Sequence, residues 1–332
     1  MELTRVLVLS RRDVAELLDA DALVDALATA MVDLSEGRAS MPPRGAAHVA
    51  ERRSMLAAMP AFLPSASALT TKLVSLFPDN RHRPTHQAVI CCFDPVDGAP
   101  LALMDGTHIT ATRTAAGSVL AARYLARADS SVLAIIGTGV QARSHADAFR
   151  SWPALQTVLV GGRDPDLADQ LAEELRDNGL PADVGTSIED AVRGADIVCA
   201  TTHADAPVVR RDWVRPGTHV SSVGYNSAGQ GEVDVALVGD ALVVVESRAT
   251  VLAPPPSGAV ELRSAVEQGV VPADFAPAEI GEVIAGTAPG RADDETVTLY
   301  KSVGVAVQDA AAAALVLAAA EDRGVGTYVD LD

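Results

Sequence analysis

The stretch VLAIIGTGVQARSHADAF, Val132 to Phe149, decides the fold class. A short apolar run, a turn with two glycines and a run with helical spacing follow one another, the order of strand, tight turn and helix N-terminus. Gly137 can take the backbone angles that a strand-to-helix turn demands. Gly139 has no side chain to keep a pyrophosphate away, and Ala142 lets helix and strand pack closely. Free N–H groups at the start of the helix then face the phosphates. G-x-G-x-x-A alone is a common pattern; the strand before it and the helix after it make this one a dinucleotide site, built from Gly137, Gly139, Val140 and Gln141.

Working outward, the chain after Val132 alternates strand and helix, which implies a parallel sheet. Strands are predicted over 157–160, 197–201, 219–223 and 241–245, and the clearest helices over 166–177 and 187–193, where Ser187-Ile188-Glu189-Asp190 resembles a capping box with Asp in place of Glu. More than a hundred residues precede the glycine turn, enough for another folded unit. Ser10 is placed to cap a helix through Leu18, Asp21 to Leu34 is amphipathic, and Gly37 stops it. Strands are predicted over 53–59, 69–77, 87–93 and 100–104, with Asp97-Gly98 as a hairpin turn, then a helix over 110–125. The small, apolar helix predicted over 303–320 is expected to be buried against the first unit. The fold class is therefore α/β: a Rossmann-type parallel-sheet unit over 127–300, an α+β unit over 1–126, and a C-terminal segment, 301–332, returning to the first.

Composition sets the outer limits. With 332 residues and 48% hydrophobic content the chain can bury sizeable cores, and its apolar stretches carry Asp, Arg or Gly too often to span a bilayer. The N-terminus lacks a basic n-region, an uninterrupted apolar run and a small-residue cleavage site, so the expected compartment is the cytoplasm and no membrane partner is expected. Three cysteines, with Cys91 and Cys92 adjacent on opposite faces of a strand, give neither a disulfide framework nor metal-ligand spacing. They are read as small core residues. A formal net charge of −18 would repel phosphate backbones, which argues against nucleic acid. Only two lysines occur, Lys72 and Lys301, against 24 arginines, so keeping Lys at position 72 hints at a need for a compact, deprotonatable ammonium there.

Leu69-Thr70-Thr71-Lys72-Leu73-Val74, Thr85-His86-Gln87, Met104-Asp105-Gly106, Ile109 to Ala116, the GTGVQA turn, Val223-Gly224 with Glu232, and Lys301-Ser302-Val303-Gly304 stand in the order seen in the ornithine cyclodeaminase and mu-crystallin family. The chain resembles that family over essentially its whole length. The resemblance implies a Rossmann domain between a substrate-binding and dimerisation domain and a last helix that joins the latter, a homodimer, and an NAD(P)-dependent oxidoreductase. Its expected substrates are 2-imino or cyclic-imine acids, such as ketimines or pyrroline-2-carboxylate, or the amino acid in reverse. Two alternatives stand: ornithine-type deaminating cyclisation with bound NAD, and a dinucleotide-bound small-molecule binding protein.

Such substrates carry a carboxylate beside a carbon that alternates between amine and imine, so a site needs a fixed cation and a proton-capable group. Arg113 and Arg44 suit the first role, since a guanidinium stays charged and offers two parallel donors. No acid neighbours Arg113 in sequence, which sets it apart from a helix salt bridge. By resemblance Lys72 lies beside the substrate, to contact the carboxylate or pass a proton, the alternative being a strand-edge lysine. His86 is placed to line the nicotinamide pocket, with a structural histidine as the alternative; His82 and His86 straddle Pro84, so no metal is expected. The resemblance adds Thr85, Thr114, Thr201, Val223, Gly224, Ser302 and Val303 as cofactor contacts. At the end of the second Rossmann strand the chain has Gly161-Gly162-Arg163-Asp164-Pro165, with the cation first: Arg163 is expected to grip a 2′-phosphate and Asp164 to cap the next helix, favouring NADP(H) with NAD(H) open. Ornithine cyclodeaminases place an Asp two residues beyond the glycine of Val223-Gly224. This chain has Asn226, which can hydrogen-bond at the reacting centre but cannot act as a base. A second departure, Ser257-Gly258-Ala259 where many members carry Gly-Asp, also weighs against ornithine cyclisation.

Overall fold

The computed structural model describes residues 5–185, 187–224, 229–254 and 257–331. They form two compact units, one of Met1–Arg113 with Val305–Asp332 and one of Thr114–Gly304.

The first unit opens with β1 (Arg5–Leu9), α1 (Arg11–Leu17) and α2 (Ala20–Ser35). Ser10 caps α1 through a reciprocal box with Asp13, and Asp19 caps α2 through the Ala22 N–H. Five strands follow: β2 (Gly45–Val49), β3 (Ser54–Leu63), β4 (Ala68–Leu76), β5 (His86–Phe93) and β6 (Pro100–Asp105). The long helix α3 (Gly106–Leu125) starts four residues earlier than its apolar spacing predicts. Asp105 accepts the His108 N–H at 2.7 Å, and Gly106 lies where a Cβ would stand 3.0 Å from the Ala88 Cβ, so Met104-Asp105-Gly106 is a capped, tightly packed start to the helix.

The second unit winds through β7 (Val132–Ile136), α4 (Val140–Ala148), β8 (Thr157–Gly161), α5 (Pro165–Asp177), β9 (Ala182–Val184), α6 (Ile188–Gly194) and β10 (Ile197–Ala200). It continues with β11 (His219–Ser222), α7 (Val235–Asp240), β12 (Leu242–Val245), α8 (Arg248–Val251), α9 (Val260–Glu267), β13 (Ala278–Glu279), α10 (Ile280–Ile284) and β14 (Thr298–Lys301). All pair in parallel, in the order β13-β12-β14-β11-β10-β7-β8-β9. The chain runs outward from β7 to β9 and then crosses back to β10 on the other side of β7. The C-terminal ends of β7 and β10 thus flank a topological switch point, where such sheets bind ligands. β10, β11 and β14 are buried at every position, as a strand covered on both faces must be.

The chain returns to the first unit with α11 (Ala306–Arg323) and β15 (Thr327–Asp330). Its sheet has the order β15-β1-β6-β5-β4-β3-β2, parallel only between β1 and β6. α2 and α11 pack on each other, and α11 packs on β3 and β4. Ala57, Met59, Ala61 and Leu63 of β3 and Ala68, Thr70 and Lys72 of β4 point to that covered face. β1, β2 and β15 escape a reading by pattern: β2 and β15 are exposed at every position and carry no inward-outward alternation. The last helix begins at Ala306 rather than at 303, because Ser302 to Gly304 form a held turn.

Candidate active site

Lys72 stands on β4 between β3 and β5, opposite Met59 and Ile90, not at a sheet edge. Strand alternation turns it onto the face that α11 covers, where it is 2% exposed. Its Nζ lies 2.7 Å from Asp309 Oδ2, and Thr110 Oγ1 of α3 is 3.5 Å away. Arg113, 5% exposed and also on α3, donates from Nε to Asp309 Oδ1 at 3.1 Å and from Nη1 to Gln308 Oε1 at 3.0 Å. Arg113 has no acid beside it in the sequence, and the fold supplies one from 196 residues away, on α11. Asp309 and Gln308 were missed by sequence reasoning, although a lone acid in VAVQDAAAAALVLAAA was a signal, because a carboxylate on an otherwise apolar, buried helix must have a partner.

Burial pushes the Lys72 ammonium down, to about 8; Asp309 opposes the fall, while Arg113 and Arg44 add to it. Arg44 is therefore in electrostatic reach of Lys72, while the Asp309 carboxylate contacts Lys72 and Arg113. Burial alone would raise the Asp309 carboxyl, but Lys72 and Arg113 outweigh it and hold it below its ordinary range. Arg113 Nη2 has no partner among the described residues, and the ammonium of Lys72 keeps a third donor beyond Asp309 and Thr110. His86, half-buried at the start of β5, shares a 3.2 Å hydrogen bond between its Nδ1 and Thr85 Oγ1.

In the second unit the glycine turn joins β7 to α4. Gly137 has φ +122, a region that favours glycine, and a Cβ there would come 2.8 Å from Thr201 Oγ1. Thr201 donates to the Ile136 carbonyl at 2.9 Å, so this residue shapes the turn from the end of β10. Gly139 is the N-cap of α4 with no side-chain cap, no acid stands in the first turn, and a Cβ there would meet nothing within 4 Å. Val140 is exposed, and Gln141 Oε1 is buried without a hydrogen-bond partner among the described residues. Open space over free N–H groups, with an orphaned amide oxygen beside it, fits a bound dinucleotide. Next to the turn, Thr138 packs on Gly162, after which Arg163 is exposed and Asp164 caps α5 by accepting the Asp166 and Leu167 N–H groups. Thr114 is buried on α3, directly after Arg113.

The Val223-Gly224 expectation leads to a network that the sequence did not reveal. Glu232 accepts from Ser222 Oγ at 3.0 Å, Thr202 Oγ1 at 2.8 Å and the Gly224 N–H at 2.6 Å. Lys301 Nζ lies 2.8 Å from Glu261 and donates to Ser222 Oγ at 3.1 Å and the Gly224 carbonyl at 3.0 Å. The Gly224 peptide is thus gripped on both sides, and a Cβ would strike the Thr202 carbonyl and Glu232. Glu246 likewise accepts from Ser302 Oγ and from the Val303 and Gly304 N–H groups, which commits the Ser302 hydroxyl to the protein. Asn226 lies outside the described residues.

Residues 4–324 match the ornithine cyclodeaminase/mu-crystallin family. The chain belongs to that family. It is 37% identical to the ketimine reductase mu-crystallin of Rattus norvegicus over 299 residues, 89% of this chain and 90% of that protein. Among solved structures it resembles the Delta(1)-pyrroline-2-carboxylate reductase of Thermococcus litoralis, in complex with NADH and L-proline (36% identity, TM-score 0.92, 98% of this chain and 100% of that one). It is also similar to an archaeal alanine dehydrogenase dimer with bound NAD (34% identity, TM-score 0.90, 99% of this chain and 100% of that one). This family member is an NAD(P)-dependent oxidoreductase acting on CH–NH groups, as its motifs implied.

Proposed function

We propose that this protein reduces a 2-imino or cyclic-imine carboxylate to the amino acid, with Lys72, Arg113 and Arg44 as the substrate side of the site and NADP(H) preferred over NAD(H). The observation that carries the reading is the buried cluster in which Lys72 and Arg113 share one carboxylate, Asp309, and still hold donors in reserve. Two cations against one anion leave a surplus positive charge, and a substrate carboxylate is the group that would balance it. Arg113 Nη2 and the third Lys72 hydrogen are the donors that would orient it. When bound, a reduced nicotinamide supplies the hydride that adds to the imine carbon. Lys72, whose ammonium is poised near neutrality by burial, holds or supplies the proton on the nitrogen, so that C=N becomes CH–NH.

The cofactor preference rests on Arg163, which follows β8 beside the glycine turn and has no ion-pair partner among the described residues, while Asp164 is committed to capping α5. Arg163→Asp is expected to raise KM for NADPH far more than for NADH, because it replaces attraction to a 2′-phosphate with repulsion. Equal effects on both cofactors would remove Arg163 from that role. A homodimer is supported by the sheet face of the first unit turned away from α11, where Leu56, Ala58, Leu73, Val89 and Leu103 stand, three of them exposed.

The direct test follows reduced-nicotinamide absorbance with a panel of 2-imino acids and cyclic imines, each beside its counterpart lacking the carboxylate. Turnover confined to the carboxylates is expected. Ammonia release from ornithine without net cofactor reduction would point instead to cyclisation, and dinucleotide binding with no turnover across the panel would point to a binding protein.

A further inference from the structure

Both lysines of the chain are buried, Lys72 at 2% and Lys301 at 1% exposure, and each lies within 2.8 Å of a buried carboxylate oxygen. Around Lys72 the charged and polar groups come from three places: Asp309 on α11, Arg113 and Thr110 on α3, and Arg44 in the segment before β2. Asp309 is the anion that touches Lys72 and Arg113 among the described residues. It divides its oxygens, Oδ2 to Lys72 and Oδ1 to Arg113 Nε, while its neighbour Gln308 takes Arg113 Nη1. The guanidinium is thus held at two of its three nitrogens by two consecutive residues of a single helix, while Nη2 has no partner among the described residues.

We propose that Asp309 is a positioning residue for the reduction proposed above: it bridges Lys72 and Arg113 so that ammonium and guanidinium present fixed donors to a substrate carboxylate, and it supplies the anion that lets Lys72 stand charged there. Asp309 acts through the two cations and touches no reacting atom. A carboxylate on a helix of Ala, Val and Leu has no packing reason to be there, and its desolvation is offset only by the cations it holds. Without it, Lys72 and Arg113 would repel each other in a buried place, with half-buried Arg44 adding to the repulsion on Lys72. Of these cations only Lys72 can relieve the repulsion by releasing a proton. Gln308 sharpens the same point, because a neutral amide holds Arg113 in place without cancelling the charge that a substrate would need.

The two-lysine composition makes the test direct, since protein labelled with 13C at lysine Cε gives two side-chain signals, and Lys301→Arg identifies which is Lys72. In Asp309→Asn the Lys72 signal is expected to titrate at lower pH, by about one unit or more, the scale of losing an opposite charge at contact distance. The alkaline limb of kcat/KM, where Lys72 loses its proton, should move down by the same amount. Asp309→Glu keeps the charge but displaces it, so the titration should stay near wild type while kcat/KM falls by about tenfold, the scale of a small misplacement. Dinucleotide affinity should be unchanged in both variants. An unmoved Lys72 titration in Asp309→Asn, or wild-type kcat/KM in Asp309→Glu, would overturn the proposal. If Asp309→Asn does not fold, Asp309→Glu decides alone. The lysine titration needs no substrate, so it separates failure of Asp309 as a positioning residue from failure of the imine-reduction reading, which would show as a wild-type enzyme without turnover.

Discussion

Gly139 stands where a side chain would touch no other part of the described protein. Its backbone is extended, with φ −88. Gly139→Val should therefore leave the fold intact and place two methyl groups where the pyrophosphate approaches the helix N-terminus. Dinucleotide affinity is expected to fall by at least about tenfold, or about 1.4 kcal/mol, in calorimetry, with an unchanged circular dichroism spectrum. Unchanged affinity would show that the turn does not hold the cofactor. Gly137 is the opposite case: with φ +122 and Thr201 Oγ1 2.8 Å from any added Cβ, a substitution there strains the backbone itself. The two glycines of one motif differ physically: one leaves space open, the other is demanded by the chain's own backbone.

At the scale of elements, α4 is fastened to α3 by a buried histidine. His145 Nδ1 bonds the Gln141 carbonyl at 2.7 Å, and its Nε2 bonds Ser118 Oγ at 3.0 Å. Burial pushes its pKa down to about 4, with the Gln141 hydrogen bond opposing the fall, so the folded protein holds the ring neutral. His219, between Thr298 and Ser221, is pushed down by burial in the same way, to about 3, helped by Arg291. The unfolded chain binds a proton at each histidine near pH 6.5 while the folded one does not, so stability is complete above that pH and is lost as pH falls. Each histidine should contribute a slope of up to about 1.4 kcal/mol per pH unit between pH ~6 and ~5, where carboxylates remain ionised in both states. Urea midpoints measured across that window should fall less steeply for His145→Asn than for wild type, even though the variant starts lower. Parallel curves would mean that His145 is not held neutral.

For the whole molecule, the formal charge of −18 and the apolar sheet face of the first unit act in opposite directions on self-association. Net charge of one sign repels at long range and is screened by salt, whereas a buried apolar face is not. Leu56 and Val89 are 49% and 40% exposed, yet they share a face with Leu73 and Leu103 rather than standing singly. If the homodimer proposed above forms through this face, the double variant Leu56→Asp with Val89→Asp is expected to be monomeric in light scattering where the wild type is dimeric, with secondary structure retained. A variant of wild-type mass would place the interface elsewhere.

The strand–glycine turn–helix unit was legible in the chain because its geometry is local: a strand, two glycines and a helix start lie within 18 residues. The same holds for the caps at Ser10, Asp164 and Ser187, where each bond spans two or three residues. Arg113 looked free of any acid for the reason that its partner is on α11; the ion pair exists only once that helix lies on β4. Folding likewise turned Lys72 from a candidate edge residue into a buried ammonium, and it brought Glu232, Glu261 and Lys301 to one glycine peptide. Short-range geometry is written in the spacing of residues, but the pairing of buried charges is settled by desolvation, which acts only after distant segments have closed together and excluded water.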